Sequence, residues 1–177
     1  NLQEGANLNA FSGIFDGAGH TITVPEDGFP LFGYVRNTRI RNLNIYGKKI
    51  AGYGLVNNFE GVGLSGSAVE IDNVTLKSGS STLKSGLLGA NKTVNGYAGC
   101  SAAFVATITN CTIEKGVVIG YDKKQSQIGA IAGRMQGTIK NCVSYADVYG
   151  TDYVGGIIGT RDNAMGTCEV IGSEFYG

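Results

Sequence analysis

Tryptophan is absent from this 177-residue chain, proline occurs twice and histidine once, at His20. A single histidine excludes the HExxH pair of a zinc protease. A Ser–His–Asp site would have to recruit His20, which lies in a strand-like apolar alternation and reads as a core or turn residue. Charge is sparse at 16% of residues, 14 basic against 14 acidic, and neither sign is clustered. That excludes the basic stripe expected of a nucleic-acid or anionic-membrane binder. No apolar run approaches the roughly 18 residues of a membrane span, so no membrane insertion is expected. The four cysteines, Cys100, Cys111, Cys142 and Cys168, form no CxxC pair, which argues against a zinc site. No cofactor or metal is implied.

Glycine, by contrast, is abundant at 29 residues, without a G-X-Y period and without proline enrichment. With 42% hydrophobic residues the chain can bury a core, and its low charge argues against intrinsic disorder.

What is present is a repeat. RIRNLNIYG around Asn42, EIDNVTLKSG around Asn73, TITNCTIEKG around Asn110 and TIKNCVSYAD around Asn141 share one core. A fainter copy, EVIGSEFYG, puts Gly172 at the anchor, and the steps between anchors are 31, 37, 31 and 31 residues. A period in this range points to a solenoid. Each core alternates apolar and polar residues with period two, as a strand does. One apolar column reads Ile40, Ile71, Ile108, Ile139, Val170, and a second reads Leu43, Val74, Cys111, Cys142, Ser173. A third reads Ile45, Leu76, Ile113, Ser144, Phe175. The expected fold is all-β: a right-handed, single-stranded parallel β-helix of about five to six coils, each rising ~4.8 Å. Residues 1–35 form the opening coil and 36–177 the repeats, in a single domain. In that opening coil, Gly19 and His20 align with Asn42 and Leu43, which turns His20 inward with Ile22 and Val24.

The exchange of Asn for Gly at the anchor suggests a bend with positive φ, since these two residues tolerate it best. Cys111 and Cys142 fall in successive repeats, either as small stacked core residues or as a disulfide between coils. Between the cores recur short glycine-flanked apolar strands: YGLVN at 53–57, SGLLG at 85–89, GAIAG at 129–133 and GGIIG at 155–159. With no Lys-Ser/Thr directly after the closing glycine and no βαβ setting, they do not read as phosphate loops. The stretches 78–84, 90–102 and 121–127 are expected to bulge as loops.

The motif GTDYVGGIIG, followed after a loop by the next strand core, resembles the GLUG-type repeat of bacterial surface and secreted proteins. The opening FSGIFDGAGHTI, with LFGYV shortly after, resembles the segment that begins such arrays. Membership would imply a parallel β-helix on an exported, cell-surface or secreted bacterial protein, of which this chain is a piece with flanking domains. The family name alone does not fix a function.

Columns also order the outward positions. The one before the anchor reads Arg41, Asp72, Thr109, Lys140, Ile171, which sets Arg41 beside Asp72 as a surface ion pair. Asp122, Asp147, Asp152 and Asp162 read as turn residues. A polysaccharide lyase or glycosidase would need two carboxylates converging on one face, and no column supplies them. Another outward column reads Tyr46, Lys77, Glu114, Tyr145, Tyr176, with Tyr149 and Tyr153 close by. Exposed tyrosines suit sugar rings or protein partners, because they combine a rigid apolar face with a hydroxyl. The candidate ligand-binding residues are therefore Tyr145, Tyr149, Tyr153 and Tyr176. The expected function is a non-catalytic adhesion or ligand-binding module for an extracellular glycan or host protein. A β-helix polysaccharide-active enzyme and a passive spacer are the alternatives.

Overall fold

The computed structural model describes residues 10–60, 69–89, 105–161 and 167–177. Among these residues there is no helix, and every strand pairing is parallel. The first strands are β1 (Phe11–Asp16), β2 (Thr21–Thr23), β3 (Phe32–Tyr46), β4 (Val56–Glu60), β5 (Val69–Leu76) and β6 (Ser81–Thr82). Next come β7 (Val105–Thr109), β8 (Thr112–Ile113), β9 (Val118–Ile119), β10 (Ile128–Gly129), β11 (Ala132–Lys140) and β12 (Val143–Ser144). The chain closes with β13 (Asp147–Val148), β14 (Val154–Gly155), β15 (Ile158–Arg161), β16 (Cys168–Ile171) and β17 (Glu174–Phe175).

They assemble into a curled 12-stranded sheet, a three-stranded sheet β13–β9–β6 and a two-stranded sheet β10–β14. The repeat cores pair in the register that their sequence alignment dictates. Ile40 faces Ile71, Ile71 faces Ile108, Ile108 faces Ile139, and Ile139 faces Val170. The glycine-flanked strands also stack in sequence register, with Val56 bridging Leu88, Leu88 bridging Ala132, and Ala132 paired with Ile158.

The core lies where the apolar columns converge. Ile40, Ile45, Ile71, Val74, Leu76, Ile108, Cys111, Ile113, Ile139 and Cys142 are all fully buried. Their counterparts in the last repeat, Val170 and Phe175, are 45% and 38% exposed. The difference is one of position, because no described strand pairs with the far edge of β16 or β17. At the opposite end Phe32 packs between Phe11 and Phe15, with ring centroids at 5.2 and 5.3 Å.

The anchor residues bend the chain as expected. Asn42, Asn73, Asn110, Asn141 and Gly172 have φ of 53°, 51°, 55°, 53° and 55°. In the last three repeats the strand is interrupted at this point, separating β7 from β8, β11 from β12 and β16 from β17.

Several local expectations are corrected. His20 is exposed, not inward. The stretch between Asp16, paired with Arg41, and Thr21, paired with Asn44, holds two residues more than the facing strand. The excess is taken up in a turn closed by the His20 N–H donating to Gly17 O, and buried Gly17 sits against Leu43 instead. Ser81–Thr82, expected within a loop, is strand β6, and Asp147, expected in a turn, opens β13. These two strands flank Val118–Ile119 of β9, forming a separate three-stranded sheet that two-residue strands could not announce. Asp122 is a turn residue, accepting from the Lys124 amide at 3.0 Å. Arg41 is in register with Asp72 but pairs with Asp16 at 2.9 Å, while Asp72 accepts from Thr109 and Asn110. Residues 90–102 and Asp162 lie outside the described residues.

Candidate functional site

The outward column that carries the tyrosines sits just past the anchor bend, at the ends of the short strands. Val143 and Ser144 of β12 pair with Thr112 and Ile113 on one side and with Glu174 and Phe175 on the other. Extending that register by one residue places Tyr145 between Glu114 and Tyr176. The Tyr145 amide donates to Ile113 O and the Tyr176 amide to Ser144 O, both at 2.9 Å. Because the backbones are locked in register, the two phenol rings lie parallel, 5.2 Å apart with 12° between their planes.

Tyr176 donates its hydroxyl to Glu174 Oε2 at 2.5 Å. That hydrogen bond, with the carboxylate's charge, holds the phenol above its usual range, so it stays protonated at neutral pH. One face of Tyr145 meets Tyr176, and the other turns toward the preceding repeat.

On that second face an open depression of about 430 Å³ is lined by Ser78, Thr112, Glu114, Lys115 and Tyr145. Lys77 donates to Glu114 Oε1, and the Ser78 amide donates to Glu114 Oε2 at 2.8 Å. Partial burial pushes the Glu114 carboxyl up, but the Lys77 hydrogen bond, the Ser78 amide and the Lys77 charge together bring it below the usual range. Glu114 is thus an ionised, hydrogen-bonded acceptor at neutral pH. Lys115 follows it in the turn closed by Val117 N–H donating to Glu114 O. Its exposed ammonium has no carboxylate partner among the described residues.

The four tyrosines expected at the site do not form one surface. Tyr145 and Tyr176 come together. Tyr149 follows β13 on the three-stranded sheet, bonded through its amide to Ile119 O, and Lys123 sits over its ring at 4.4 Å. Tyr153 precedes β14, 66% exposed with φ of 52°, and no ring of the described residues contacts it. Proximity in sequence placed them together, but they follow or precede strands of different sheets, and among the described residues only Tyr145 and Tyr176 share a ring contact. Sequence reasoning missed Ser78, Thr112 and Lys115. The legible signal was the Lys77–Glu114 pair, opposite charges one repeat apart in one column and so within reach of each other.

Cys111 and Cys142 are stacked, fully buried free thiols. Burial pushes the Cys111 thiol up, as expected of an inert core group. Among the described residues no group of three or more His, Cys, Asp or Glu could hold a metal ion, and no helix is long and apolar enough to cross a membrane. Comparison with protein-family models, with curated proteins and with solved structures yields no match.

Proposed function

We propose that this chain is a right-handed parallel β-helix of about five to six coils serving as a non-catalytic, ligand-binding adhesion module on an exported bacterial protein. The in-register parallel stacking of five successive repeat cores and the left-handed residue at each anchor support the solenoid. The GLUG-like motif 150–159 supports the exported, surface or secreted setting. The observation that carries the binding reading is the stacked Tyr145–Tyr176 pair beside the depression. The rings are 43% and 60% exposed, so they present apolar area that the core does not use. An aromatic wall beside hydroxyls and a carboxylate matches a sugar ring, which has an apolar face and a rim of hydroxyls. Among the lining residues Glu114 is the only carboxylate, and it is already hydrogen-bonded to Lys77. Acid–base cleavage of a glycosidic bond requires two carboxyl groups, so that lining favours binding over hydrolysis.

The test is a glycan and host-protein binding screen of the purified chain alongside Tyr145→Ala and Tyr176→Ala. Glycan binding weakened tenfold or more by either substitution supports the reading. Glycan binding that both variants retain removes this face from consideration. Absence of any binding leaves the spacer role.

A further inference from the structure

We propose that the depression beside Tyr145 selects an acidic sugar, a hexuronate residue whose carboxylate pairs with Lys115. This rests on the reading of the Tyr145 face as carbohydrate-binding and names the class of sugar.

Glu114 and Lys115 line the depression with one charge each, and Lys77 hydrogen-bonds to Glu114. Lys77 and Glu114 are bonded to each other, which leaves the Lys115 ammonium without a carboxylate partner among the described residues. A neutral sugar would leave that ammonium to water. A uronate would bring the opposite charge to it. Ammonium–carboxylate hydrogen bonds are stronger than neutral ones, and an exposed pair of this kind contributes about 1 kcal/mol or less.

The other contacts fit the same ligand. The free face of Tyr145 offers a flat wall for the apolar side of a pyranose ring, and Tyr176 behind it keeps that wall from rotating. The accessible lining is chiefly apolar, as the apolar face of a pyranose requires, and Ser78, Thr112 and Glu114 belong to its wall. The volume of about 430 Å³ lies within the roughly 300–1,000 Å³ usual for small-ligand sites. Ser78, Thr112 and Tyr145 stand on backbone held by inter-repeat hydrogen bonds, so the Lys115 side chain is the group that binding must order.

The experiment is calorimetric titration with trisaccharides of glucuronate, galacturonate and mannuronate, each compared with its fully methyl-esterified form and its neutral hexose counterpart. Esterification removes the charge and keeps the ring. The expected result is that at least one uronate binds tighter than its ester, by up to roughly fivefold. Lys115→Gln should erase that difference by weakening the acid alone, Lys115→Arg should retain it, and Tyr145→Ala should weaken acid and ester alike. Lys115 is exposed on a turn, so its substitution leaves the core intact. Equal binding of acid and ester, or a Lys115→Gln variant that still prefers the acid, overturns the uronate assignment. If neutral hexoses then bind and Tyr145→Ala loses them, the carbohydrate reading stands and only the acidic preference fails. Absence of binding to any of the nine sugars overturns the uronate assignment, and the wider screen then decides whether the Tyr145 face binds anything.

Discussion

The Asn73 side-chain amide donates to Asn42 Oδ1 at 2.9 Å, joining two residues that occupy the same anchor position one repeat apart. Both have left-handed φ, so each asparagine bends its own strand and ties itself to a neighbour. Along the same line Asn42 donates to Asp16 Oδ1 at 3.2 Å and Asn110 to Asp72 Oδ1 at 2.7 Å. Alanine at position 73 loses the hydrogen bond and strains the backbone, at about 1–2 kcal/mol. Glycine keeps the bend and loses only the bond, as Gly172 does in the last repeat. Urea denaturation should therefore rank wild type above Asn73→Gly, and Asn73→Gly above Asn73→Ala. Equal midpoints for the two variants would mean that positive φ is not what the site selects.

Gly86 should tolerate no side chain. A Cβ there would lie 1.8 Å from the Ala130 carbonyl oxygen, a backbone atom of the bend between β10 and β11 in the next repeat. Gly54 faces the same obstacle in the Gly86 carbonyl, at 1.9 Å. Gly86→Ala should cost about 1–3 kcal/mol or more, because the stack must open to admit a methyl group. Thermal unfolding monitored by circular dichroism would register this as a lowered Tm. An unchanged Tm would refute the close approach.

Glu114 should make stability sensitive to acid. Its folded-state carboxyl lies below the ordinary value of 4.5, so its contribution is fully present above that pH and is lost as pH falls through the lower folded value. The urea midpoint should fall on acidification below about pH 4.5, and fall less steeply in Glu114→Gln. Parallel slopes for the two proteins would show that the Lys77 and Ser78 contacts do not favour the ionised form.

The thiols should divide by position. Cys111 and Cys142 have no exposed surface, while Cys168 is only half-buried, though burial raises its thiol too. Iodoacetamide at pH 8 should label Cys168 at least tenfold faster than the buried pair in the folded protein, with the difference vanishing in urea. Mass spectrometry of peptides reads this directly. Equal rates in the folded protein would place Cys111 or Cys142 at the surface.

Much of the framework could be read from residues alone. The columns headed by Ile40, Leu43 and Ile45 predicted pairing register correctly, because a period-two strand copied every 31 residues leaves one way to bury all its apolar positions at once. The Asn-to-Gly exchange at position 172 likewise disclosed a positive φ through backbone sterics alone. The two-residue strands of the three-stranded sheet disclosed nothing. Ser81–Thr82 and Val118–Ile119 become strands only because each finds the other across a repeat. The candidate site divides the same way. Tyr145 and Tyr176 were placed together by their shared column, whereas Tyr149 and Tyr153 depart because turns and a change of sheet intervene within a few residues.

The sequence by itself therefore determined the all-β class, the parallel register, the anchor bends and the aromatic pair, all of which follow from periodicity and local backbone preference. Only the tertiary structure decided that Arg41 turns to Asp16 instead of Asp72, that His20 faces solvent, and that Ser78, Thr112 and Lys115 gather before one face of Tyr145. The reason is physical. Register is enforced by a whole column of buried side chains, but an exposed charge or hydroxyl chooses among neighbours that differ by about 1 kcal/mol or less, and those neighbours exist only once the repeats have stacked.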